Sequence, residues 1–321
     1  MPLFTGVRGI GILRTSPLQS SAKFTTSYPP SWKPRRNAWD AWADQTWRYL
    51  LRMLVLRSKN EVEGLKKAGE LVARALVLLR PHVRAGMRLD ELARIVERFV
   101  RSEGGEPTYK SYQPSPAVPP IPATICTAVN EEIVHGIPGP RKLGEGDIVG
   151  IDVGATLGGW VGDTCYTYPV GDPPPRATRL LGVARQCLKA GIAEVAPGKP
   201  FGDVGAAIQE LAEHHGYGVV RELGGHGVGH ELHEEPHINH FGRRGHGMRF
   251  RDGMTLTVEP MINEGTPEIR YLDDGRTVVT ADGKLSAQYE YTIAVTSKGC
   301  EILTPWHLLM REDAGLPAPR Q

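Results

Sequence analysis

The sequence predicts an α+β fold of two similar halves, each with helices packed on one face of an antiparallel sheet. Three observations carry that expectation. Val83, Gly86, Glu91, Leu92 and Gly104 recur as Val195, Gly198, Asp203, Val204 and Gly216, an offset of 112 residues each time. Each copy runs helix, glycine-containing turn, helix, glycine, then strands, as an internal duplication would. Between the copies, Ile148–Ala155 and Trp160–Val170 read as a pair of strands around a turn at 157–159.

The elements follow in order. Residues 1–52 differ from the rest, with four of the six tryptophans (Trp32, Trp39, Trp42, Trp47) and only two acids, Asp40 and Asp44. No hydrophobic period runs through 1–37, while 38–56 carry the pattern of a short amphipathic helix. Three readings stand: an organellar transit peptide, a docking tail, or a segment outside the native chain, whose start would then be Met53. The third is preferred, and residues 1–57 are set aside as an N-terminal extension, poorly ordered or not native. Ser58 and Glu61 form a capping box. It opens a helix with apolar positions at 62, 65, 68, 71, 72, 75, 76 and 79, ended by Pro81. A second helix covers 89–102 and stops at Gly104-Gly105. Residues 113–123 are a proline-rich loop. The folded domain is expected to span 58–310, followed by a tail at 311–321.

Bulk properties exclude several classes of function. At 321 residues the chain can bury a sizeable core. A net charge of +2 is too mild to argue for a nucleic-acid partner. No apolar run reaches the roughly 18 residues of a membrane span. The four cysteines form no CxxC pair, so a reducing, cytoplasmic setting is expected in place of a disulfide framework.

The chemistry concentrates in five positions. His226 lies among glycines at 224, 225, 227 and 229, seven residues before His233. Glycines let backbone approach a ligand closely, and histidine ligates metals or moves protons near neutral pH. Asp152 and Asp163 precede this stretch. In a simple hairpin they would oppose each other on one face, and two carboxylates so placed need a proton or a cation. Glu259 and Glu290 follow, each inside an apolar strand-like run, where an acid is costly unless paired or metal-bound. The order Asp, Asp, His, Glu, Glu is the donor inventory of a two-metal hydrolase. Oxygen-rich donors with one imidazole suit Mn, Fe, Co or Zn. His230, His237, His240 and His246 are expected at the surface or behind the ligands.

These residues resemble the methionine aminopeptidases, most closely the type I, bacterial-type enzymes of the pita-bread fold. The matching motifs are Val129–Pro138 with His135, Ile151-Asp152-Val153-Gly154, Gly162-Asp163-Thr164, Gly225–Gly229 with His233-Glu234-Glu235-Pro236, Thr257–Met261, and Ser286–Glu290. Type II enzymes carry a long insertion where only 25 residues separate His233 from Glu259 here. The resemblance covers residues 58–305. It implies a curved antiparallel sheet with two pseudo-symmetric halves and two divalent ions per chain. Asp163 and Glu290 would bridge the ions, Asp152 would hold one, and His226 and Glu259 would complete the other. His135 would lie near the scissile amide. His233 would bond its carbonyl, and Glu259 would also shuttle the proton of a water shared by the ions. The implied activity is removal of initiator methionine when the second residue is small. N-terminal methionyl peptides and nascent chains are the implied partners, with the ribosome as a candidate, and the enzyme would be a monomer.

The chain departs from the family around the methionine pocket. Cys126 survives, but Tyr109–Tyr112 leads into the proline-rich segment, where the family carries a Tyr-His-Gly-Tyr-like loop. Arg276 stands where some members place a tryptophan, and Leu232 where an aromatic often precedes the last motif histidine. Cys126, Leu232, Arg276, His135 and His233 are therefore expected to line the substrate site. Two rival readings are weighed. Proline-specific peptidases share the five donors but carry a large extra N-terminal domain. Non-catalytic relatives typically lose donors, and all five are present here.

Overall fold

The structure, a computed structural model, describes residues 54–110, 112–113 and 120–310. The extension before residue 54, with most of the helix expected at 38–56, and the tail at 311–321 lie outside the described residues. Residues 54–57 belong to no helix, because Arg57 donates its N–H to Gly253 O at 2.7 Å and Ser58 caps the first helix.

Helix α1 (Lys59–Leu79) starts in the expected capping box, with the Ser58 hydroxyl accepting from Glu61 N and the Glu61 carboxylate accepting from Ser58 N. Its buried stripe includes Leu65, Ala68, Leu71, Val72, Ala75, Leu76 and Leu79. Helix α2 (Leu89–Ser102) places Asp90 and Glu91 in its first turn and Arg101 in its last, matching the helix dipole. Strands β1 (Glu106–Pro107), β2 (Ile125–Val129), β3 (Glu132–Val134), β4 (Ile148–Leu157) and β5 (Trp160–Pro169) complete the first half. The second half opens with α3 (Pro175–Ala193) and α4 (Phe201–His214), then β6 (Gly218–Val219), β7 (Gly225–Gly227), β8 (Glu234–Ile238), β9 (Thr255–Val258) and β10 (Met261–Asn263). Strands β11 (Ile269–Tyr271), β12 (Val278–Thr280), β13 (Ser286–Gln288), β14 (Tyr291–Thr296) and β15 (Gly299–Ile302), and a short α5 (Trp306–Met310), close the chain.

The repeat is visible in the backbone. Gly86 and Gly198 both take φ +83, a conformation that favours glycine. Their N–H groups bond Leu143 O at 2.8 Å and Phe250 O at 2.9 Å, so each glycine turns the chain into the second helix of its half against an equivalent strand-like segment. Gly104 and Gly216, at φ +79 and +80, stop those helices.

Strand β4 pairs along its whole length with β5, and its other edge takes β2 and β1. A five-stranded antiparallel sheet runs β15-β14-β9-β7-β8. The two halves meet where β5 lies beside residues 286–292. Glu290 N donates to Cys165 O at 3.0 Å, Thr292 Oγ1 to Asp163 O at 2.7 Å, and Thr167 Oγ1 to Gln288 O at 2.6 Å. Helix residues Leu76, Leu92, Leu180 and Ile208 share one core with Ile151, Val153, Val258 and Ile293. Alternation along β4 puts Ile151 and Val153 on that helix side and leaves Asp152 on the other face.

The hairpin corrects one sequence expectation. The turn residues are Gly158 and Gly159, both with positive φ, and the ladder pairs Leu157 with Trp160. That register places Asp152 opposite Cys165, and Asp163 opposite Gly154. The two aspartates are thus diagonal neighbours on one face and not directly opposed. A two-residue turn centres the hairpin one residue later than the midpoint of the two acids requires.

Candidate metal centre

All five predicted donors come from strands or the breaks between them, on both sides of the seam. Tyr109 joins the diagonal aspartates: its hydroxyl lies 2.6 Å from Asp152 Oδ1 and 2.6 Å from Asp163 Oδ1. Those carboxylate oxygens are therefore at most about 5 Å apart, where two charges repel by at least about 3 kcal/mol at an effective dielectric of about 20. That is about two pKa units, so one acid must hold a proton or both must face a cation.

The glutamates occupy interruptions in their strands. Glu259 falls with Pro260 between β9 and β10, and Glu290 follows Tyr289 between β13 and β14. Pro260 has no N–H for a ladder, so the break expected there is found. The other break sends Glu290 into the seam, where it is 2% exposed. Neither is neutralised by a Lys or Arg among the described ion pairs, which removes the buried salt bridge as an explanation for both. Thr257 Oγ1 donates to Glu259 Oε1 at 2.6 Å and Gln288 Nε2 to Glu259 Oε2 at 3.1 Å, while the Glu259 N–H is accepted by His240 Nε2 at 3.1 Å.

His226 sits mid-strand in β7, its N–H donated to Thr257 Oγ1 at 3.0 Å. The strand runs so close to its neighbours that a Cβ on Gly225 would stand 2.3 Å from Thr257 O, and one on Gly227 2.4 Å from Glu235 O. Only glycine fits there. His226 Nδ1 faces Gly227 O at 2.9 Å and must donate to it, which leaves Nε2 with a lone pair. That nitrogen lies 3.5 Å from Glu259 Oε1 and 3.7 Å from Asp163 Oδ2. Asp163, His226 and Glu290 offer donor atoms all within 4.8 Å of one another.

Electrostatics fit a cation. Burial, with repulsion between the acids, raises Asp152, Glu259 and Glu290 well above the usual carboxylate range. Burial pushes Asp163 up to about 6. Burial also lowers His226 to about 4, so its imidazole is neutral and able to ligate near pH 7. Crowded acids that resist ionisation, beside a neutral imidazole with an inward lone pair, fit a divalent ion.

The centre floors a cavity of about 290 Å³. His135 and His233 line its wall, both lowered to about 4 chiefly by burial. His135 takes φ +64, a strained conformation for a non-glycine residue. The next residue, Gly136, passes so close to β2 that a Cβ would stand 2.2 Å from Thr127 O. That contact turns His135 toward the cavity. His233 Nδ1 lies 2.6 Å from the Tyr112 hydroxyl. Tyr112, Ile121, Cys126, Leu232 and Met261 supply an apolar wall, and Arg276 closes it from the turn between β11 and β12. Asp274 fixes that turn by accepting the N–H groups of Arg276 and Thr277. Burial holds the Cys126 thiol well above its usual range, so it stays protonated and inert.

Comparison with known proteins fits this geometry. The model of metallopeptidase family M24 matches residues 63–297. Methionine aminopeptidase B of Synechocystis is 44% identical over 252 residues, 78% of this chain and 92% of the relative. Methionine aminopeptidase 1 of Bacillus subtilis is 42% identical over 252 residues, 78% of this chain and 99% of the relative. The chain belongs to the methionine aminopeptidases. The crystal structure of the family member from Rickettsia prowazekii superposes with a TM-score of 0.76 at 40% identity, covering 78% of this chain and all of that one. The prolidase from Pyrococcus furiosus, at 23% identity and a TM-score of 0.63, shares the fold alone, over 80% of this chain and 67% of its own. As a methionine aminopeptidase of the bacterial type, the chain is a metal-dependent hydrolase of the pita-bread fold.

All the residues predicted for the site line this one cavity. Of the histidines set aside, His230 and His246 are exposed, His237 also lines the cavity, and His240 is fully buried behind Glu259. Sequence reasoning missed the supports: Tyr109 between the aspartates, Tyr112 on His233, and Thr257 and Gln288 on Glu259. Thr257 had a signal, since it lies two residues before Glu259. Tyr109 had none, because it reaches the aspartates only through tertiary packing.

Proposed function

We propose that this methionine aminopeptidase removes the initiator methionine from methionyl peptides and nascent chains with a small second residue, using two divalent ions. The observation that carries the reading is the convergence of five donor side chains on one cavity with an apolar wall. Asp163 and Glu290 would be the donors common to both ions, Asp152 would serve one, and His226 with Glu259 would serve the other. Cobalt, manganese, iron and zinc all suit such donors. Bound there, two divalent ions lower the pKa of a water toward neutrality and polarise the scissile carbonyl.

The chain's own residues do the rest. Glu259 accepts and passes on the proton of the attacking water, held in place by Thr257 and Gln288. With the Tyr112 hydroxyl donating to Nδ1 of His233, Nε2 would carry the hydrogen that His233 gives to the carbonyl oxygen as charge builds on it. His135 stands beside the scissile amide. Cys126, Leu232 and Arg276 bound the space for the methionine side chain, and the free amino group lies at the Asp152 end, which restricts cleavage to the first residue. The catalytic domain is residues 58–310 with Arg57 packed into it, acting as a monomer in the cytoplasm on chains leaving the ribosome.

The test is cleavage of Met-Gly-Met-Met beside an Xaa-Pro peptide, by metal-stripped protein with Mn²⁺, Co²⁺ or Fe²⁺ restored. Metal-dependent release of only the first methionine, absent in Asp163→Ala, is expected. Cleavage of only the Xaa-Pro peptide would move the enzyme to the proline-specific branch.

A further inference from the structure

The β7–β8 loop, residues 228–233, carries Leu232 and His233 to the cavity wall; Tyr112 bonds the His233 ring there, but the loop backbone is held from elsewhere. The support comes from the far end of the chain. Arg57, the residue before the α1 cap, has its guanidinium buried under this loop, with its side chain 5% exposed, and it pairs through Nη2 with Glu234 Oε2. Glu234 is the immediate neighbour of His233. Its other oxygen, Oε1, accepts the N–H of His230 at 2.9 Å and of Glu231 at 3.3 Å. One carboxylate thus gathers both arms of the loop, and Arg57 holds that carboxylate.

The surroundings are shaped for the guanidinium. A Cβ on Gly229 would stand 1.9 Å from Arg57 Nη2, so a side chain there would displace the guanidinium from its seat. The guanidinium carbon sits 5.4 Å from the centroid of Trp160, which stacks on His230 at 3.8 Å. Backbone bonds fix both sides: Arg57 N to Gly253 O at 2.7 Å, and Val161 N to Gly229 O at 2.8 Å. Leu232, on the other side of His233, is 3% exposed and packs with Tyr109, Cys126 and Val161. His233 therefore projects into the cavity between two anchored neighbours, one apolar and one ionic.

We propose that Arg57 is a positioning residue for the reaction: through Glu234 it sets the loop that aims His233 at the substrate carbonyl. The inference rests on the reading of His233 given above. His226, the metal donor nearest the loop, is tied separately to Thr257 Oγ1 at 3.0 Å and the other donors lie elsewhere, so loss of the clamp is expected to leave the metal centre intact and to misplace the loop that carries His233. A displacement of about 1 Å at such a group costs up to about a hundredfold in rate.

The test uses the full chain and five variants: Arg57→Met, Arg57→Lys, Glu234→Gln, His233→Ala, and Arg57→Met with His233→Ala. Arg57→Met and Glu234→Gln are expected to lower kcat about 10- to 100-fold, with KM and bound metal per chain unchanged. Arg57→Lys is expected to recover most of the loss, because an ammonium can still reach the Glu234 carboxylate. Arg57→Met is expected to add nothing once His233 is alanine. Losses that multiply in the double variant, or metal content that falls with kcat, would make Arg57 a structural residue and overturn the proposal. A large loss in His233→Ala with none in Arg57→Met or Glu234→Gln would overturn the clamp alone. An unimpaired His233→Ala would instead remove the role given to His233. Glu234→Gln keeps the acceptor for the loop N–H groups, so it tests the charge pair even if Arg57→Met fails to fold.

Discussion

The floor of the cavity is made of strand residues, whereas much of its wall comes from turns and loops. On the floor, Asp152 and Asp163 sit on β4 and β5, His226 on β7, and Glu259 and Glu290 at breaks in two strands, each fixed by ladder register. On the wall, His135 lies in a strained turn, Leu232 and His233 on the clamped loop, and Arg276 in a turn pinned by Asp274. The resemblance implies a floor that matches the family motif by motif and a wall that departs from it at Leu232 and Arg276. Register leaves a donor no freedom to shift without losing a row of hydrogen bonds, while a loop side chain can change without disturbing the sheet. The contrast teaches that chemistry and selectivity are separable in this molecule.

The largest expected effect tests the floor. Asp163→Ala removes a donor shared by the cluster, so metal affinity should fall by more than the about 10- to 100-fold typical of losing an outer-shell partner. Isothermal titration with Mn²⁺ reads it, and retention of metal and activity would break the comparison. His233→Ala should lower kcat about 100- to 1,000-fold, as losing an oxyanion donor does, with metal content unchanged. A parallel fall in metal would show that wall and floor are not independent.

Thr257→Val and Gln288→Leu touch neither substrate nor ion but hold Glu259. Each should weaken metal affinity about 10- to 100-fold, and unchanged affinity would mean the strand break alone orients Glu259. A pH series probes the same floor. A carboxyl held above its usual range keeps its proton in competition with an ion at any pH below that pKa. Asp163, at about 6, together with the raised Asp152, Glu259 and Glu290, should make metal affinity fall as pH drops through 6. His226, at about 4, adds no competition until far lower pH. An affinity flat from pH 7 to 5 would contradict the assignment of these acids as donors.

The smallest effect belongs to the wall. Arg276→Trp should alter relative kcat/KM among Met, Leu and norleucine peptides within about tenfold, the low end of what one pocket group gives. Metal affinity should stay the same. A change in metal affinity would place Arg276 in the electrostatics of the centre, beyond its effect on the neighbouring His135 and Cys126.

The five donors, the capping box at Ser58 and the 112-residue repeat were legible in the sequence. Each is a local pattern: an acid in an apolar run, a cap spacing, a glycine spacing that recurs because the same backbone turn is made twice. The hairpin offset was misjudged because register depends on which residues occupy the turn. Tyr109 and Arg57 carried no signal, since neither lies near its partners in the chain.

The sequence by itself determined the kind of chemistry, because residue types and their order specify which donors are available and which strands carry them. Tertiary structure alone decided how those donors are held. Tyr109 between two aspartates and Arg57 under the His233 loop are contacts across 43 to 177 residues of chain. Their energies arise only when folding has closed those long loops and removed water from around the charges.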